Sequence, residues 1–152
     1  MKETKLHNFK TSLKRGQKGE AEFFELFADK VTRTEGYIED FIINRTGKTL
    51  DLKTDFYDMG KTDNFFMEAF SYGEELGGAW QALKKNVDYY IYFFPSHMEF
   101  FVFKTSALVK KLNIICKDQY LINVFNTSHV TRGYKVPREA LESIRLDLKD
   151  IL

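Results

Sequence analysis

Apolar positions recur at helical spacing in "QKGEAEFFELFADK", where Ala21, Phe24, Phe27 and Ala28 share a face, and this predicts a helix over about 17–30. Glu20 stands four residues before Phe24 and seven before Phe27, so it lies on or beside that apolar face. As an acid in the first turn it would also complement the helix dipole. From Tyr37 to Ser71 the period falls to two, predicting three strands, "YIEDFIIN", "TLDLKTDF" and "NFFMEAFS", separated by "RTGK" and "YDMGKTD". Strands in such close succession predict an antiparallel meander.

"SYGEELGGAWQALKKN" then reads as a glycine-hinged loop entering a helix near Gly78. "DYYIYFF" is apolar on both faces and predicts a central strand, Pro95 a turn, and "MEFFVFK" a further strand. "SALVKKLNIIC" suits a short helix capped by Thr105 or Ser106, and "YLINVFN" a strand. "VPREALESIRLDL" predicts a closing helix with Pro137 in its first turn. The order helix, three strands, helix, strand is the skeleton of an α/β domain around a mixed sheet.

The 152 residues suit one domain with one active site, residues 1–152, with 1–16 as a basic N-terminal arm. With 43% hydrophobic and 30% charged residues, the composition is that of a folded globular chain and excludes a disordered or membrane-spanning one. The beginning of the chain has no apolar stretch of the kind a secretory signal needs, so a cytoplasmic, intracellular location is expected. A lone Cys116 excludes an internal disulfide and a cysteine zinc site; its apolar neighbours predict a buried thiol. His7, His97 and His129 are scattered and form no i, i+4 pair for zinc. The net charge of +1 excludes a globally basic binder, yet residues 2–18 hold six Lys or Arg against one Glu. That segment is either a solvated leader or an arm in which Lys10, Lys14, Arg15 and Lys18 contact phosphates. The 16% aromatic content falls mostly at strand positions and reads as core or subunit interface, leaving room for a homodimer.

The chemistry concentrates in "EDFIINRTGKTLDLKTD". Symmetric pairing around Thr46–Gly47, or around the four residues 45–48, sets Asn44 opposite Thr49 and Asp40 opposite Lys53. Asp51 is then diagonal to Asp40 on the same face, which Asp55, Ile38 and Ile42 share. Directly opposed Cβ atoms are roughly 5 Å apart and diagonal ones roughly 7 Å, so a cation between Asp40 and Asp51 could reach both. Carboxylates this close repel unless a cation lies between them. Lys53 could be that cation, as an ordinary cross-strand pair on a solvated face; partial burial beside the isoleucines, and Glu20 leaning from the preceding helix, point instead to a hard divalent ion.

A glutamate on the first helix, an Asp opening one strand and acid-x-Lys on the next, here Glu20, Asp40 and "DLK" at 51–53, resemble the PD-(D/E)xK nuclease superfamily. The first half, including "GQKGE" and "KTD", is similar to archaeal Holliday-junction resolvases and small phage nucleases. The similarity covers roughly residues 16–95, and Glu39 replaces the proline of the motif. It implies a restriction-endonuclease-like fold, a mixed sheet flanked by helices with an αβββαβ core. It also implies a metal-dependent deoxyribonuclease that hydrolyses phosphodiester bonds, with a phage or mobile-element origin and branched or recombining DNA as the expected setting. Asp40, Asp51 and the Leu52 backbone carbonyl would bind Mg2+ or Mn2+, and Lys53 would hold the attacking water. Glu20 would take a second ion or orient its water shell, and Gln81 on the later helix would lie near the scissile phosphate, with Trp80 in the core. A shifted alignment on Asp55 and Glu68 would put Phe70 at the lysine position, which leaves those two acids as accessory ligands. The contrasting expectations are a catalytically silent nucleic-acid-binding or assembly module that keeps this fold, and a small interaction domain with a charged hairpin.

Overall fold

A computed structural model describes residues 9–34, 39–56, 63–71, 75–117, 121–125 and 130–152. For residues 9–15, 71, 75, 124 and 125 it describes the backbone alone. Residues Tyr37 and Ile38 of the first expected strand, His7, His129 and the first half of the basic arm lie outside the described residues. No helix among the described residues is long and apolar enough to cross a membrane.

Helix α1 runs Phe9–Phe27, so it begins eight residues before the expected start and takes in Lys10, Lys14 and Arg15. Three antiparallel strands follow: β1 Val31–Arg33, β2 Phe41–Ile43 and β3 Thr49–Thr54. They form a five-stranded mixed sheet with β6 (Tyr89–Phe94) and β7 (Glu99–Lys104), in the order β1-β2-β3-β6-β7. The expected meander is therefore corrected. Its third strand, β4 (Asn64–Ser71), has the predicted bounds but leaves for a second sheet, where it pairs with β5 (Glu75–Leu76) and β9 (Val130–Pro137). Strand β8 (Leu121–Phe125) completes that sheet outside β9. The place beside β3 goes to β6, in parallel, because a strand apolar on both faces is stable only between two layers.

Two cores result. Under α1, Phe23 packs on Phe41, Ile43, Leu50 and Ile91. On the other face Tyr90, Tyr92 and Phe94 meet Phe65 and Met67 of the second sheet, together with helices α2 (Gly78–Lys84) and α3 (Thr105–Ile115). Helix α3 starts as expected but without a side-chain cap, since Thr105 turns inward and Lys104 holds the cap position.

The C-terminal expectation is also corrected. Pro137 ends β9, its φ of −60 being as suited to a strand's last residue as to a first helical turn. Residues Arg138–Ile144 form a 3-10 segment, and only Leu148–Ile151 is α-helical (α4). Arg45 of the β2–β3 turn donates to the backbone oxygens of Asp150, Ile151 and Leu152 at 3.3, 3.3 and 3.2 Å, fastening α4 over the first core.

Candidate functional site

The β2–β3 hairpin closes through residues 44–47. Ile43 N–H donates to Lys48 O at 2.8 Å, Gly47 N–H donates to Ile43 O at 2.8 Å, and Gly47 takes φ +72. A left-handed residue closing the turn is what glycine supplies without strain. The register is thereby shifted by two residues from the pairing that the sequence predicts, with Ile42 rather than Asn44 opposite Thr49. Lys53 consequently does not oppose Asp40, and it makes no ion pair among the described residues. A slip of two preserves side-chain parity, so Asp51 and Lys53 keep one face and Leu50 and Leu52 the other.

Strand β2 stops at Phe41, and Asp40 sits just beyond its end, beside β3. Its N–H donates to Leu50 O at 3.0 Å, while its carboxylate Oδ2 accepts from Leu52 N–H at 2.7 Å. The Leu52 carbonyl points to the same side as its N–H, toward the gap where β2 has ended.

Helix α1 delivers Glu20 to this gap because Gly19 lets it approach β3. A Cβ on Gly19 would stand 2.0 Å from Thr54 Oγ1, and that hydroxyl is buried with no hydrogen-bond partner among the described residues. Glu20 and Asp51 both come within hydrogen-bonding contact of the Asp40 carboxyl.

Three acids from three elements thus meet at the end of one short strand. Burial, with the Asp40 charge second, pushes Glu20 up to about 7. The same causes in the same order push Asp51 up to about 7. Burial raises Asp40 as well, against the Leu52 N–H, the hydrogen bonds from Glu20 and Asp51 and the charge of Arg33. Asp40 is the carboxyl whose charge acts on both of the others. Among the described residues no group of three or more His, Cys, Asp or Glu is arranged to hold a metal ion as it stands. The chemistry of the three acids is nevertheless that of ligands for a hard divalent cation: all oxygen, partly buried, and repelling one another when ionised, a repulsion that such an ion would offset.

No protein-family model, curated protein or solved structure matches the chain.

The remaining expected residues separate. Lys53 is half-buried on the face of Asp51, in register with Tyr92. Asp55, just past β3, accepts from Tyr92 Oη at 3.0 Å, and Tyr92 Oη also accepts from Phe66 N–H at 3.3 Å, a link between the two sheets. Glu68 belongs to the second sheet and lies against Gly77, where a Cβ would stand 2.7 Å from its Oε1. Burial foremost, then the charges of Asp51, Glu68 and Asp40, raises the Tyr90 hydroxyl well above its ordinary value. Gln81 is exposed on α2, and its side chain makes no hydrogen bond among the described residues. Trp80 packs partly in the second core as expected. Lys18 is exposed and lies 5.5 Å from the Phe56 ring centroid; for Lys10, Lys14 and Arg15 only the helical backbone is described. Cys116 is half-buried, its thiol pushed up to about 11 by burial.

Two cations escape the sequence reading. Arg33 on β1 pairs with Glu20 at 3.6 Å over the Phe24 ring. Lys85, directly after α2, is the positive charge that most opposes the rise of Asp51. Lys85 follows Gln81 by four residues, a signal present in the sequence; nothing local marks Arg33.

Proposed function

We propose that this chain is a divalent-metal-dependent deoxyribonuclease of the PD-(D/E)xK kind, hydrolysing phosphodiester bonds with Mg2+ or Mn2+. The observation that carries the reading is the meeting of Glu20, Asp40 and Asp51 at the end of β2, with Lys53 on the face of Asp51. The order α1, β1, β2, β3, α2, β6, with β6 parallel to β3, supports it. That is an αβββαβ arrangement within one sheet, although its first strand is Val31–Arg33 rather than the residues expected.

Asp40, Asp51 and the Leu52 carbonyl would hold the ion, and Glu20 would take a second ion or orient the water shell. When bound, it supplies Lewis-acid polarisation of the scissile phosphate and favours hydroxide over water. Asp40 is the fixed donor, since the Leu52 N–H orients its carboxylate. Lys53 places an ammonium on the attacking side, where it orients the water and offsets charge growing on the phosphate. The water oxygen bonds to phosphorus as the bond from phosphorus to the 3′ oxygen breaks. One water proton leaves to solvent, the 3′ oxygen takes up another, and the products are a 5′-phosphate and a 3′-hydroxyl. Arg33 steadies Glu20 against repulsion within the trio.

A second reading, a catalytically silent nucleic-acid-binding module, is favoured by one feature: among the described residues no group of acids is arranged to hold a metal ion as it stands. Incubation with linear duplex, single-stranded and four-way-junction DNA, with magnesium and with chelator, separates the two. Magnesium-dependent products that disappear in Asp51→Asn support the nuclease; binding without products supports the silent module.

A further inference from the structure

The outer strands of the two sheets are β1, β7, β5 and β8, and the first three are blunted against further pairing. Strand β1 has three residues, the last of them the charged Arg33. Strand β5 has two, beginning with Glu75. Along β7 the chain covers its own edge: Leu146 N–H donates to Val102 O at 2.8 Å, and Arg145 Nη2 donates to Phe100 O at 2.9 Å. Short length, charge and cover are the ordinary means of keeping a sheet edge from recruiting another strand.

Strand β8 has none of them. It runs five residues, "LINVF", with no charge and no proline, and among the described residues no strand pairs with its outer side. Alternate residues of a paired strand turn N–H and C=O away from the neighbour, so this side presents backbone groups ready for a further strand. Leu121 and Ile122 are partly exposed and Asn123 is exposed, its side chain making no hydrogen bond among the described residues.

The order of residues says which strand fits. "LINVF" has the same apolar and polar pattern in both directions about Asn123. Laid antiparallel against a second copy, with a two-fold axis at Asn123, it sets Leu121 opposite Phe125, Ile122 opposite Val124 and Asn123 opposite its own counterpart. An asparagine amide both donates and accepts, so the two can bond to each other across the axis. The nearest charge, Arg132, is in register with Asn123 on β9, one strand back. Three strand spacings, about 14 Å, then separate the two arginines, beyond the screening length of about 8 Å at physiological salt.

We infer that the outer edge of β8 is a homodimer interface, in which two copies pair this strand antiparallel about Asn123 and their second sheets become one continuous sheet. The contact is closed, because each copy commits its unprotected edge to the other, and assembly stops at two. The pairing is independent of the chemistry at Glu20, Asp40 and Asp51.

Analytical ultracentrifugation across a dilution series tests it on the wild type, Asn123→Lys, Asn123→Asp and an equal mixture of the two variants. The wild type should sediment as a dimer at the concentrated end of the series. Each variant alone sets like charges directly opposite each other at the axis, and should raise the dissociation constant by about tenfold or more. Mixing them sets Lys against Asp and should restore the dimer. Circular dichroism matching the wild type establishes that each variant is folded; where one is not, Asn123→Arg or Asn123→Glu replaces it. A wild type that stays monomeric, a dimer indifferent to both variants, or folded variants that stay monomeric when mixed overturns the assignment, since rescue by mixing requires a residue that faces its own counterpart.

Discussion

Asp40 governs the site through two contacts that differ in kind. Its bond from the Leu52 N–H is fixed by the strand, whereas its contacts with Glu20 and Asp51 depend on protons. The pH dependence follows in sign. Glu20 and Asp51 titrate near 7 when folded and in the ordinary carboxyl range when unfolded, so between about pH 4 and 7 the folded chain binds more protons. The stability these two groups contribute is full at the acid end of that window and is lost as pH rises through about 7. In chelator, the melting temperature should fall between pH 5.5 and 8, and Glu20→Gln/Asp51→Asn should flatten that decline. Magnesium should raise the melting temperature at pH 8 and do little at pH 5.5, where it must displace protons. A melting temperature that rises from pH 5.5 to 8 in both proteins alike would show that the carboxyls do not share protons. Lys53 has a different signature. Lys53→Ala should lower kcat by about 100-fold or more while leaving DNA affinity within about twofold, in line with loss of a group that acts on the transition state. An equal loss in affinity would make it a binding residue.

Among the elements, α1 and the β2–β3 hairpin decide where the acids meet. At Gly19 the helix lies so near β3 that an added Cβ would meet the Thr54 side chain. An exposed Gly→Ala change inside a helix usually adds about 0.5–1 kcal/mol of stability. Here the added methyl meets the Thr54 side chain, so Gly19→Ala should reverse that sign, costing about 1–3 kcal/mol in chemical denaturation and raising the magnesium needed for half-maximal cleavage. A gain in stability would mean that the helix stands further from β3. Phe23→Ala, beneath the same helix, should cost about 3–5 kcal/mol, since Phe23 is fully buried against Phe27, Phe41 and Phe100.

Element type was largely legible because it depends on local period: β4 has the expected bounds, and β6 is the expected central strand. Register was not, because it turned on which loop residue would take the left-handed conformation. The slip of two residues leaves every side chain on its own face, so Asp51 and Lys53 still share one side of β3. Strand β1 went unseen since three residues, Val31–Arg33, carry too little alternation to register as a period. Strand β9 went unseen since Pro137, at its end, reads equally well as the start of a helix, and Gly133 as a loop. Gly133 in fact sits where a Cβ would meet the Phe66 ring and the Met67 oxygen, a strand glycine required by close packing.

At the level of the whole molecule, sheet membership is a non-local property, and here the local reading failed. The charged stretch from Asp40 to Asp55 is the seam between two layers rather than one side of a simple meander. Tyr92 shows the consequence: its hydroxyl joins Asp55 below β3 to Phe66 of the second sheet. Tyr92→Phe removes that join while keeping the ring packing, and should cost about 1–2 kcal/mol by denaturation with cleavage retained. Loss of cleavage at unchanged stability would instead bring Asp55 into the reacting centre. The second sheet, with α2 and α3, packs on the face of the first that carries Tyr90, Tyr92 and Phe94, and the charge of Lys85, just after α2, acts on Asp51.

The central claim is that Glu20, Asp40 and Asp51 act together around a divalent ion to cut DNA. Cleavage of end-labelled duplex and four-way-junction DNA by wild type and Asp51→Asn, each with magnesium and with chelator, tests it most directly. The account predicts 5′-phosphorylated products from the wild type with magnesium alone, and none from Asp51→Asn, which still binds DNA. Full cleavage by Asp51→Asn, or by the wild type in chelator, would contradict it.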